Sequence, residues 1–96
     1  MRIWGKMMKD NHMLKDYTVT DSSDDTRTHK IFHALEEICG EWDLSVPVWL
    51  DLNIREFRSH KKTRFTQDCF VGETISFDFL ELQILEEEIY HLAKFE

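Results

Sequence analysis

Apolar positions recur with a period of two ahead of Thr26 and a period of 3.6 after it, dividing the chain into strand-like and helix-like parts. Residues 2–9 and 13–20 read as a hairpin around the turn-like cluster Asp10-Asn11-His12, in which Asn suits a positive φ. A three-residue loop sets Ile3 opposite Val19, Gly5 opposite Tyr17 and Lys6 opposite Asp16. A two-residue loop would instead set Lys6 against Lys15, so the first register is preferred.

Asp21 to Asp25 (DSSDD) end the second strand, and their Ser and Asp side chains supply N-cap oxygens for a helix over about 25–40. Ile31, Leu35, Ile38 and Trp42 form its apolar stripe, with Phe32 and Cys39 on the flank. Gly40 is the expected C′ residue. The segment LSVPVWL (44–50), broken by Pro47, predicts an extended connector or an edge strand. A short helix over about 54–61 follows, with Asn53 as N-cap, Glu56 at N3 and a Leu52–Phe57 staple. Residues 62–74 read as loop, broken at Gly72.

The run ETISFDFLELQILEEE then carries the strongest strand signal. Its apolar parity switches at Phe79–Leu80, which points to a β-bulge or to burial on both faces, and so to a central strand. Ile89, Leu92 and Ala93 in the tail 86–96 suit a last, weakly docked helix. The pattern predicts a single α+β domain over 1–96. A small antiparallel sheet, the N-terminal hairpin plus the long C-terminal strand, packs on one main helix and one short helix. Three strands leave two open edges, and edge-to-edge homodimerisation is one expected consequence.

Composition narrows the function classes. Ninety-six residues that are 42% hydrophobic, with seven Phe and three Trp, hold one core and exclude an intrinsically disordered chain. No window approaches the roughly 18 apolar residues of a membrane span. Arg2, Lys6 and Lys9 interrupt any signal-peptide stretch, and because patterned sequence follows Met1 at once, the chain is expected to begin at its natural start. Two cysteines are too few to staple a small secreted domain, which predicts a cytoplasmic protein.

The net charge of −7 is unevenly spread. Residues 1–15 carry four basic and one acidic side chain, 16–54 two and nine, 55–64 five and one, and 65–96 one and eight. The basic island Arg55, Arg58, Lys61, Lys62 and Arg64, interleaved with Phe57 and Phe65, is the candidate site for a phosphate, a nucleotide, a nucleic acid or an acidic protein surface. A solvated helix end is the simpler reading, and the overall acidity disfavours nucleic acid. His29 and His33, at i and i+4, with Glu36 a turn further on, form a weak metal candidate on the helix face opposite the apolar stripe. Cys69 with His60 or His91 would make a small enzyme only through a three-dimensional arrangement the sequence does not reveal, and Asp68 beside Cys69 disfavours a thiolate. Asp78, Glu81 and Glu86 to Glu88 read as a solubilising outer face rather than as acid–base or cation-binding carboxylates. No Gly-rich phosphate loop, CxxC, GxSxG or EF-hand spacing occurs. No catalytic residue and no cofactor is assigned.

At KMMKDNHMLKDYTV, HALEEICGEWDLSVPVWLD, EFRSHKKTRFTQDCF and ISFDFLELQILEEE the chain resembles a family of small bacterial proteins of unknown function, found mainly in anaerobic gut-type Firmicutes. The likeness covers whole blocks and no catalytic signature. It implies a bacterial cytosolic protein, full-length as given, and transfers no functional residue. The function expected is a non-catalytic interaction or accessory module, binding a protein partner or itself. The alternatives are an anion binder through 55–64 and a small enzyme near His60 and Cys69.

Overall fold

A computed structural model describes residues 1–87. Strands β1 (Arg2–Lys9) and β2 (His12–Thr20) form the hairpin, helix α1 spans Arg27–Glu41 and helix α2 Asp51–His60. Strand β3 (Lys62–Phe65), a single 3-10 turn at Gln67–Cys69 and strand β4 (Phe79–Glu86) complete the α+β fold. The sheet is antiparallel in the order β2-β1-β4-β3. Among the described residues it therefore has four strands, one more than the sequence pattern suggests. The tail helix expected over 86–96 lies, beyond Glu87, outside the described residues.

The hairpin combines both loop options. Asp10 (φ 52°) and Asn11 (φ 65°) make a two-residue turn with Lys9 opposite His12, and a bulge at Leu14 then shifts the register. Beyond the bulge Ile3 faces Val19, Gly5 faces Tyr17 and Lys6 faces Asp16, the predicted register. The bulge is what avoids the Lys6–Lys15 pairing.

Thr26 caps α1, accepting from the His29 N–H at 3.2 Å, so the cap lies one residue past the Ser/Asp cluster. Gly40 sits inside the helix. The left-handed C′ position belongs to Asp43 (φ 54°), whose N–H donates to the Gly40 carbonyl while that of Leu44 donates to Cys39. Residues 44–50 form a connector. Helix α2 starts three residues earlier than expected because Asn53 is not its cap; Asn53 is buried at N3, and its Oδ1 accepts from the Leu50 N–H at 3.0 Å.

β3 lies where the basic run suggested loop. Thr63 and Phe65 point inward and Lys62 and Arg64 outward, a period-two pattern in four residues. Residues 73–78, expected to open the last strand, are irregular. Gln67 replaces ladder pairing there: its Nε2 donates to the carbonyls of Phe70 and Glu73, and its Oε1 accepts from the Ile75 N–H. The parity switch at Phe79–Leu80 is therefore the join between a loop that buries Phe77 and a strand that buries Leu80, Leu82 and Ile84. β4 is central as expected, between β1 and β3.

One core forms between the sheet and the helices. Ile31, Leu35 and Ile38 of α1 meet Ile3, Met7, Leu80 and Leu82, while Trp49 from the connector seals the side near Phe57 and Phe65. Among the described residues no helix is long and apolar enough to cross a membrane.

Candidate functional site

A surface concavity of about 270 Å³ lies between the two helices. Its apolar lining comes from Ile31 and Phe32 of α1, Trp49 of the connector, and Ile54 and Phe57 of α2. Helical spacing accounts for the arrangement, since Phe32 flanks the buried stripe of α1, and Ile54 and Phe57 lie one turn apart on α2. Trp49 links the walls: its ring lies 6.0 Å from that of Phe32 and meets the edge or face of Phe57 at 5.4 Å. Phe32 is 44% exposed and Ile54 37%, so this apolar surface is only partly covered. Phe32, Val46, Pro47 and Trp49 continue it into a neighbouring concavity of about 230 Å³.

Arg27 and Arg58 stand at the rim of the first concavity. Arg27 reaches from α1 to within 6.0 Å of the Phe57 ring, and its Nε donates to Glu87 Oε1 at 2.6 Å. Lys61, the left-handed residue that ends α2, donates to the other carboxylate oxygen at 2.9 Å. Hydrogen bonds from Arg27 and then Lys61 hold the Glu87 carboxyl below its ordinary pKa. One carboxylate thus bridges a cation from each helix at this end of the groove.

The basic island does not converge on one site. Lys61 is engaged with Glu87, and Arg58 turns to the groove. Lys62 and Arg64 line a separate concavity of about 180 Å³ with Glu56, His60 and Glu81. Arg64 donates to Glu81 Oε1 at 3.2 Å, its guanidinium lying 4.5 Å from the Phe79 ring centre. Arg55 is exposed on α2.

Glu81 corrects the reading of an acidic outer face. It lies on the sheet face opposite α1, directly across from Lys6 on β1 and Arg64 on β3, and is only 7% exposed. Burial raises its pKa, but the Lys6 and Arg64 hydrogen bonds prevail and hold it below the ordinary value. Lys6 also lies 4.2 Å from the Trp4 ring, and Trp4 Nε1 donates to Asp16 at 2.8 Å. Lys6 thus sits opposite Asp16 in register yet pairs with Glu81.

Of the residues of the enzyme alternative, Cys69 belongs to the core. Cys69 is buried, 2% exposed, and its thiol donates to Asn53 Oδ1 at 3.5 Å. Burial, followed by the charge of Asp68 among the raising influences, lifts its pKa. The fully buried Cys39 thiol is pushed up to about 12, mainly by burial. Both cysteines are free. His60 lies exposed, on the concavity shared with Lys62 and Arg64, and His91 falls outside the described residues.

His29 and His33 do come together, with ring centres 6.1 Å apart on the exposed face of α1. Their common neighbour is Asp25: His29 Nδ1 lies 2.9 Å and His33 Nδ1 3.8 Å from its carboxylate oxygens. Glu36 has no bond to this pair among the described residues, and no cluster of three or more His, Cys, Asp or Glu with metal-binding geometry occurs there.

The groove itself was not evident from the sequence. Its signals were present as Trp49 in LSVPVWL and as Ile54, Phe57 and Arg58 at helical spacing, but nothing local shows that these meet Phe32. Comparison of the chain with protein-family models, with curated proteins and with solved structures yields no match.

Proposed function

We propose that the chain is a small non-catalytic cytosolic interaction module that binds a protein partner or a second copy of itself. The partly exposed Phe32–Trp49–Ile54 surface between the helices carries this reading. Apolar surface rimmed by charge favours macromolecular contact over substrate turnover. The burial of both thiols, with pKa values raised, supports a binding role because neither presents a ready nucleophile. The outer strands β2 and β3 add sheet edges through which self-association would proceed.

Sedimentation over a wide concentration range, run beside affinity capture from lysate, tests the reading. The expected result is either a reversible mass increase above the monomer or a specific partner retained after washing. A strictly monomeric protein that retains nothing overturns it. A narrower observation supports anion binding as the second reading: Arg55, Arg58 and Lys62 make no ion pair among the described residues. Binding of a phosphorylated ligand that falls with added salt and with Arg58→Ala plus Lys61→Ala would favour it.

A further inference from the structure

Resting on the interaction-module reading, we infer that the groove between α1 and α2 receives an acidic amphipathic segment of a partner protein. Apolar side chains of that segment would cover Phe32, Trp49 and Ile54 while a carboxylate engages Arg58.

Three observations lead to this occupant. The apolar lining is continuous and half-open, so burying it releases water from aromatic surface that the fold leaves wet. Helices form the long walls, and their backbone groups are already paired internally, so side chains must do the recognition, as when an amphipathic segment lies in a helical groove. The third concerns charge. In a chain of net charge −7, two arginines, Arg27 and Arg58, line this groove, and among the described residues no acidic side chain lines it with them. An acidic partner meets these arginines with no carboxylate in the lining to repel it, which favours both the site and the register of docking.

The molecule already contains one instance of the proposed contact. Glu87 is gripped by Arg27 from one wall and Lys61 from the other. Arg58 lies three residues back from Lys61 on α2, reaches the same groove and makes no ion pair among the described residues. A partner carboxylate on Arg58 would extend the pattern by nearly one turn. An inorganic anion would take the charge contact but gain nothing from the aromatic lining.

The test is a peptide-display selection against the full chain, followed by fluorescence anisotropy of the enriched peptides on purified variants. The expected winners carry Asp or Glu beside apolar residues spaced three or four apart. Their affinity is expected to fall at least tenfold on Arg58→Glu, tenfold on Phe32→Ser, and little on Arg55→Glu, which lies outside the groove. Replacing the acids of a winning peptide by Lys should abolish binding to the native chain and restore it to Arg58→Glu. Far-ultraviolet circular dichroism of each variant checks that the fold is kept. Enrichment of basic or uncharged peptides, or indifference to both groove variants, overturns the inference. So do winners that match residues 87–96 of this chain or a surface of a second copy, and so does a selection with no enrichment. Self-association or partner capture that persists in Arg58→Glu and Phe32→Ser would leave the interaction reading standing while removing this groove from it.

Discussion

Glu81 shows how one residue on a sheet face can be both charged and buried. Its two cross-strand neighbours are cations, and the desolvation cost of its carboxylate is offset by bonds to both. Because its folded pKa lies below the unfolded value, it contributes stability above the unfolded pKa, and that contribution disappears as pH falls through the folded pKa. Glu81→Gln is therefore expected to cost about 1–3 kcal/mol at neutral pH, with the gap to the native chain closing in acid. Urea titrations at pH 7 and at successively lower pH measure both parts. Gly5 is a steric case. A Cβ there would lie 2.8 Å from Ile38 Cδ1 and 2.9 Å from Cγ2, and Ile38 is fully buried. Gly5→Ala should cost about 1–3 kcal/mol through overpacking. Combining it with Ile38→Val, which removes the nearest methyl, should cost less than the two single changes added together. A double-mutant cycle of unfolding free energies checks this.

At the scale of elements, Asn53 ties α2 to β3 and to the turn that holds Cys69. Its Oδ1 accepts from the Leu50 N–H and the Cys69 thiol, and its Nδ2 donates to Thr63 Oγ1 and to the Arg64 carbonyl, each at 2.9 Å. Thr63 passes the network on to Glu56 at 2.7 Å. Asn53→Ala leaves buried polar groups on two elements without partners and is expected to cost about 2–3 kcal/mol, lowering the melting temperature by roughly 10 °C. Asn53→Asp should fail as well, since a second oxygen would face the Arg64 carbonyl; thermal unfolding of both variants decides.

The same residue illustrates what sequence can and cannot convey. Asn, Ser and Asp suit helix starts, so Asn53 was legible as belonging near one, but only the fold reveals the partners that place it at N3. α1 and the hairpin register were legible because period and cross-strand charge agree over many residues. β3 was not, because four residues with outward Lys62 and Arg64 look like part of a charged run. The irregular stretch before β4 was misread for a related reason. Its apolar alternation imitates a strand, while the Gln67 side chain, six to eight residues back, bonds the Glu73 carbonyl and the Ile75 N–H. The basic island was legible as charge. Its division between Glu81, Glu87 and the groove depends on contacts that no local pattern encodes.

On the scale of the molecule, the core is shared rather than divided. Cys39 sits on α1 and Cys69 at the 3-10 turn on the other side of the connector, yet both belong to the same buried cluster as Leu80 and Phe65. A backbone bond from Val48 N–H to the Cys69 carbonyl, 2.9 Å, fastens the connector between them. If that cluster opens as one cooperative unit, the two thiols become accessible together; if the helices detach separately, Cys39 and Cys69 react at different rates. Thiol-labelling kinetics under native conditions distinguish these cases through the single variants Cys39→Ala and Cys69→Ala. Each variant retains one reporter and is first matched for stability with added denaturant. The expected outcome is negligible reaction in the native state, full reaction of both sites in denaturant, and the same dependence of labelling rate on global stability at each site. A Cys69 that labels at low denaturant while Cys39 stays protected would instead assign α2, β3 and the 3-10 turn to a separately opening unit. That result would also mean that the α2 wall of the groove moves relative to α1, and that docking there is coupled to local order.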